Sequence, residues 1–219
     1  MARLRDQQKR LTILETSKML FSQKGFFNTS ISDIVHETGF PVGTIYTYFR
    51  NKEEIIQVIV AEGWAEFRES LVLALATQSS AEERLHTVID RFLPQLLNDL
   101  DFINILLSEA IQYTRIEEKI EDLTSIVASL IPSAESSGPI RRSPVVLTRR
   151  QLETALMVYF LGIMDAARIS RSASVGVTVA DILDFTRMSV NQSLGIDPGA
   201  EGSSHPAVPI RADQSERGA

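Results

Sequence analysis

A chain of 219 residues, 44% apolar and 23% charged, can bury a sizeable core in one or two domains. It has no cysteine, no apolar run near the roughly 18 residues of a membrane span, and a charged start, MARLRDQQKRL, without a signal peptide's apolar stretch; disulfides, thiolate chemistry, membrane insertion and secretion drop out, and a cytoplasmic protein is expected. The net charge of −6 is unevenly placed, with a balance of +4 over residues 1–52 (eight basic, four acidic) and −10 over the rest (14 basic, 24 acidic), and a basic segment on an acidic body is one footprint of a nucleic-acid partner.

Helical periodicity begins early. Leu11, Leu14, Ser17, Leu20, Phe21 and Lys24 trace a mainly apolar stripe, which Gly25 stops. In NTSISDIVHETG, Ser30 and Asp33 have capping-box spacing, Ile31, Ile34 and Val35 share one face, and Gly39 ends the short helix. Pro41 suits the first position of a third helix, because its φ is already helical, and it biases Phe40 away from helix. Helix, glycine-containing turn and helix follow one another within about 20 residues, the arrangement of a helix-turn-helix unit whose second helix enters the DNA major groove.

That helix spans about residues 41–49. Ile45 and Phe49, four apart, face a small core, and Tyr46 and Tyr48 cannot both share that face. Their hydroxyls suit phosphate oxygens, with Arg50 and Lys52 adding charge; packing of the tyrosines on neighbouring helices, with the basic residues merely solvated, is the alternative. Asn51 then caps a long helix with Glu53 and Glu54 in its first turn, continuing through Ile55, Val58, Ile59, Trp64 and Phe67 to about Leu75. Residues 81–99 read as another helix with Pro94 as a kink, 102–113 and 116–131 as two more, and PSAESSGPIRRSP (132–144) as a loop. Segments 148–170 and 178–194 are the last helices; 197–219 are too poor in apolar residues to order. The expected fold is all-α, with about nine helices and no sheet.

Residues 11–60 resemble the DNA-binding domain of the tetracycline-repressor (TetR) family of one-component bacterial regulators. The resemblance rests on ILETSKMLFSQKGF (13–26), TSISDIVHETGF (29–40) and above all GTIYTYFRNKEEI (43–55), which follows the family's Gly-Thr-apolar-Tyr-x-aromatic-Phe-x-x-Lys-Glu-x-apolar pattern. It implies a DNA-binding domain over 1–54, a ligand-binding and dimerisation domain over 55–196, and a regulator, most plainly a repressor, that grips a palindromic double-stranded DNA operator as a homodimer and is released by a small-molecule effector. It also implies phosphate contacts from Thr29, Thr44, Tyr48 and Lys52, and a groove-facing set of Pro41, Val42, Gly43, Tyr46 and Thr47. Arg3, Arg5, Lys9 and Arg10 would form an arm near phosphates or a minor groove. Many members carry serine and then a long polar residue where this chain has Pro41 and Val42. Without Arg or Lys there, the bidentate guanine contact is lost, and thymine methyls and DNA shape take over the readout.

In the larger part, Ala155, Gly162 and Ala166 recur at separations of seven and four and form a stripe where a second subunit's helix can approach, giving a four-helix bundle with 178–194. Candidate effector contacts are Trp64, Phe67, Asn104, Glu109, Gln112, Tyr113, Met157, Tyr159 and Asp165, although pairing with Arg168 or a place at the rim of the dimer interface is the favoured reading of Asp165, and Trp64 and Phe67 are more often plain core. No cofactor or metal is called for, and no enzymatic constellation emerges. Two other classes remain: a helical interaction protein that does not bind DNA, and a carboxylate-bridged di-metal enzyme, for which Glu83 and His86 have ligand spacing but lack the required second pair.

Overall fold

The computed structural model describes residues 2–130, 148–172 and 176–194. The described residues are helical throughout, with no strand. The expected loop at 132–144 and tail at 197–219 lie outside them, as do the side chains of Arg3 and Arg5.

Helix α1 (Ala2–Lys24) begins well ahead of the apolar stripe, so the expected N-terminal arm is helical instead, from Ala2 on. It buries Ile13, Leu14, Ser17, Leu20 and Phe21, while Leu11 at the head of the stripe is 51% exposed. Gly25 ends it at φ +87°, a left-handed conformation in which a β-carbon is strained. Helix α2 (Ile31–Thr38) opens with the predicted capping box: Ser30 Oγ accepts from the Asp33 amide at 3.1 Å and Asp33 Oδ2 from the Ser30 amide at 2.8 Å. Chiefly because the Ser30 hydroxyl donates to it, with the Ser30 amide and Lys24 adding to the effect, the Asp33 carboxyl is held well below the usual carboxylate range. A lowered native pKa gives stability that is full above the ordinary carboxylate pKa, about 4, and lost on acidification toward the native value. Asp33→Asn should therefore melt below the wild type at pH 7, and the gap should close between about pH 5 and pH 2; a gap independent of pH in a melting series would refute this assignment.

Gly39 (φ +67°) closes α2, and α3 (Val42–Tyr48) starts one residue later than expected, because Pro41 sits outside it as the cap, at ψ 143°. Asn51 caps α4 (Lys52–Ala76), accepting from the Glu54 amide at 2.8 Å.

The predicted helix at 81–99 becomes α5 (Ala81–Thr87), a π-helical stretch Val88–Phe92, and α6 (Leu93–Asn98). Pro94 has no N–H and its ring crowds the preceding turn; the chain responds by widening, with the Leu93 amide donating to the Val88 carbonyl five residues back. The predicted helix at 102–113 divides into α7 (Leu100–Ser108) and α8 (Ile111–Thr114), at a corner where the amides of Glu109 and Ala110 both converge on the Ile105 carbonyl, 2.9 and 3.1 Å away. These two divisions account for the excess over nine helices. Helices α9 (Ile116–Leu130), α10 (Arg149–Ser172) and α11 (Val179–Leu194) complete the described chain.

Three apolar clusters hold the helices together. One joins α1, Phe26, Ile34, Ile45 and Phe49 to Ile55, Ile56 and Val60 of α4, and also to Phe102 and Leu106 of α7 and Ala110. The boundary expected after residue 54 thus runs through a continuous core. A second cluster packs Leu93, Leu97 and Leu100 against Ile163, Met164 and Ala167 of α10 and Ile182 of α11. The third gathers Leu71, Leu75, Leu85, Phe92, Leu123 and Leu130, with Trp64 and Phe67 against it.

Candidate DNA-binding surface

Helix α3 is anchored from below by Ile45 and Phe49, 0% and 3% exposed, as their four-residue spacing requires. Its opposite side is open: Val42 is 52% and Tyr46 54% exposed, with Pro41, Gly43 and Thr47 also exposed and Thr44 half-buried. The Thr47 hydroxyl donates to the Gly43 carbonyl at 2.8 Å, leaving its oxygen lone pairs and its methyl for any partner outside. The five residues expected to face a groove are thus all exposed.

The expected phosphate-gripping residues fare differently. Thr29 requires a correction. It is 1% exposed, and its hydroxyl donates to the Gly25 carbonyl at 2.7 Å, so it closes the turn between α1 and α2 rather than facing outward. Lys52 is half-buried, with Nζ donating to the carbonyls of Phe26 (2.7 Å) and Thr29 (2.8 Å), more distantly to Phe27 (3.3 Å), and lying 4.6 Å above the Phe26 ring. Its ammonium ties α4 to the same turn, a role invisible in sequence because its acceptors are backbone atoms some 25 residues away.

Tyr48 is half-buried, and its hydroxyl donates to Asp6 Oδ1 at 2.6 Å, a bond that raises the phenol's pKa and keeps it a donor. Arg50 is exposed and paired with Glu54, four residues on. Arg10 reaches across to Glu62 on α4 and lies over the Phe49 ring at 5.9 Å, a bracing role in place of an arm.

The candidate effector contacts are not brought to one place. Trp64 and Phe67, half-buried against the third core cluster, stack on each other at 5.8 Å, and Phe67 meets Phe92 edge-on at 5.5 Å. Glu109 and Tyr113 turn toward the α1–α2 turn, where Glu109 Oε2 accepts from the Phe27 amide at 2.9 Å and Tyr113 packs on Phe26 at 5.4 Å. Asp165 pairs with Arg168, three residues on. Asn104 and Met157 are half-buried, Gln112 is exposed, and Tyr159 is 37% exposed. An open surface depression of about 350 Å³ lies elsewhere, lined by Ala74, Thr77, Gln78, His86, Thr87, Asp90 and Arg91, none of them among the candidate effector contacts. No sequence signal marks that set; its members come together only because α4 ends beside the π-helical stretch.

Along α10, Ala155, Gly162 and Ala166 are all exposed, and beside them lie Val158 (66%), Leu161 (37%) and Ile169 (43%); α11 adds Phe185 and Met188, 57% each. The di-metal pair is engaged elsewhere. Glu83 accepts from the Ser79 and Ser80 amides as a capping box, and His86 Nε2 meets Asn191 Oδ1 at 2.7 Å. Among the described residues no group of three or more His, Asp and Glu side chains could hold a metal, and no helix is long and apolar enough to cross a membrane.

An anchored short helix with an open outer face, preceded by a glycine turn and braced by α1 and α4, defines a helix-turn-helix DNA-binding transcriptional regulator. Residues 13–59 match the model of bacterial regulatory proteins of the tetR family. It is 25% identical over 149 residues to the fatty acid metabolism regulator protein of Bacillus subtilis (strain 168), covering 66% of this chain and 77% of that one. It is 30% identical over 94 residues to the HTH-type transcriptional regulator TtgR of Pseudomonas putida, a match spanning 43% of each chain. Among solved structures, the transcriptional regulator FadR from Bacillus subtilis, in complex with stearoyl-CoA, superposes with a TM-score of 0.65 at 18% identity, over 85% of this chain and 98% of that one. FadR from Bacillus halodurans gives a TM-score of 0.65 at 16% identity, over 82% and 93%.

Proposed function

We propose that this chain is a cytoplasmic repressor, without enzymatic activity, that binds a near-palindromic operator as a homodimer and lets go when a small molecule binds its C-terminal helices. The open outer face of α3 over an otherwise closed core is the observation that carries it. A two-fold dimer built on the apolar faces of α10 and α11, including Ala155, Gly162 and Ala166, would set two such helices roughly 34–36 Å apart, one turn of DNA. The contacts assigned to DNA are Pro41, Val42, Gly43, Tyr46 and Thr47 toward bases and Thr44 and Tyr48 toward phosphates, within a domain that takes in the start of α4. Lys52 acts by holding the turn.

Long-chain acyl thioesters are the first effectors to test, since the structural relative from Bacillus subtilis was solved with stearoyl-CoA. Release requires the effector to bind the DNA-competent and incompetent conformations with different affinities. Footprinting upstream of the chain's own gene at two salt concentrations tests the reading. A short palindromic footprint lost at the higher salt supports it, and no protection at low salt points to a helical interaction protein instead.

Asp6 sharpens that test. In the free chain its carboxylate occupies the Tyr48 hydroxyl, so DNA must displace a negative charge from the surface it approaches. Asp6→Ala should tighten binding roughly 2- to 5-fold at low salt. Unchanged affinity in a titration against the footprinted duplex would take Tyr48 off the phosphate-contact set.

A further inference from the structure

The turn between α1 and α2 decides where α2, and behind it α3, rests on α1, yet most of its polar backbone is satisfied by side chains. Thr29 Oγ1 donates to the Gly25 carbonyl and Asn28 Nδ2 to the Lys24 carbonyl at 3.0 Å. The carbonyls of Phe26, Phe27 and Thr29 receive Lys52 Nζ from α4. The Phe27 amide finds its acceptor 82 residues along the chain, in Glu109 Oε2 at the corner between α7 and α8. Gly25 eases that approach: a β-carbon there would stand 2.9 Å from Glu109 Oε1, so any side chain at that position would require the carboxylate to shift.

The corner is well placed to pass on a displacement. Phe102 and Leu106 of α7, with Ala110 just beyond it, belong to the cluster that contains the helix-turn-helix core, while Leu100, at the other end of α7, belongs to the cluster beneath α10 and α11. The further link from Lys18 to Asp99 at the head of α7 is an exposed ion pair, which contributes little.

We infer that Glu109 is a positioning residue for DNA binding: its carboxylate, by holding the Phe27 amide, locks the helix-turn-helix unit to the α7–α8 corner, so that the corner's position sets the recognition helix. Apolar packing alone tolerates sliding, whereas a charge-assisted hydrogen bond to one backbone amide fixes a single register. The inference rests on the DNA-binding reading proposed above.

The test compares the wild type with Glu109→Ala and Glu109→Gln. Each is measured on a duplex that the wild type selects from a random pool and on an unselected duplex, together with hydrogen exchange at the Phe27 amide and the thermal midpoint. Losing a hydrogen bond to a charged group should weaken binding of the selected duplex roughly tenfold in Glu109→Ala and speed Phe27 exchange by a similar factor. Affinity for the unselected duplex should be unchanged, because phosphate attraction is untouched. Glu109→Gln, whose amide oxygen still accepts, should recover most of both effects. Wild-type affinity and wild-type Phe27 exchange in Glu109→Ala overturn the inference, as does an equal loss on both duplexes or a failure of Gln to rescue. A wild type that selects no duplex overturns the regulator reading itself, and Phe27 exchange then still reports whether the carboxylate holds the turn.

Discussion

Replacing Phe26 by alanine should cost about 3–5 kcal/mol of folding stability and abolish operator binding with it. The ring is 1% exposed and stands where three parts of the chain meet: it packs edge-on to Phe21 of α1 at 5.3 Å, tilts against Tyr113 of α8 at 5.4 Å, and lies beneath the Lys52 ammonium of α4 at 4.6 Å. Truncation removes the buried area, the three aromatic contacts (to Phe21, Phe27 and Tyr113) and the surface on which the ammonium rests, and it leaves a cavity bounded by helices whose backbones are fixed elsewhere. Single domains have only about 5–15 kcal/mol in hand, so the helix-turn-helix unit is expected to populate open forms at moderate temperature. Phe26→Leu keeps most of the volume and should cost well under half as much. Urea unfolding of both variants, followed by tryptophan fluorescence and by far-ultraviolet circular dichroism, measures the difference. A loss below about 1 kcal/mol for Phe26→Ala would mean that the contacts around it readjust and that the junction is not a packed hub.

That hub also marks where sequence stops being informative. The capping box at Ser30, the glycine stops at Gly25 and Gly39, the Asn51 cap and the buried pair Ile45 and Phe49 were all legible, because each depends on residues within four positions of one another. The motif at 43–55 carries the family resemblance and, with it, the proposed use of α3. What was illegible lies in long-range pairing. Lys52 has the family's position, but its acceptors are carbonyls about 25 residues back, and Glu109, chosen as an effector contact, meets an amide 82 residues away. Trp64 and Phe67 sit at helical spacing consistent with either a pocket or a core, and the approach of Phe92 from the π-helical stretch packs both of them, half-buried, against a core cluster. That stretch in turn followed from Pro94, whose presence predicted an irregularity but not its form.

Tyr46 carries the second large effect, and of a different kind: Tyr46→Ala should leave stability within about 0.5 kcal/mol while weakening the specific complex by about 1–3 kcal/mol, roughly 5- to 150-fold. At 54% exposure the ring contributes little to the core. It lies one turn from Val42, itself 52% exposed, so two apolar groups share one side of a seven-residue helix that is otherwise well anchored. With no Arg or Lys on α3, that side cannot form the bidentate contact to guanine, and on the proposed reading its discrimination would come from apolar contact with thymine methyls, from the Tyr46 hydroxyl, and from the Thr47 oxygen. A base-facing contact and a phosphate contact are separable by salt. Losing Tyr46 should lower affinity for the selected duplex while leaving the slope of log affinity against log salt unchanged, because no counterion is involved. Truncating Arg50, exposed beside the same helix, should reduce that slope by about one unit if its charge reaches a phosphate, with little change in sequence preference. Affinity of Tyr46→Ala for the unselected duplex is the deciding number. If it falls as far as affinity for the selected one, Tyr46 grips the backbone, and sequence readout rests on Val42, Thr47 and the shape of the groove.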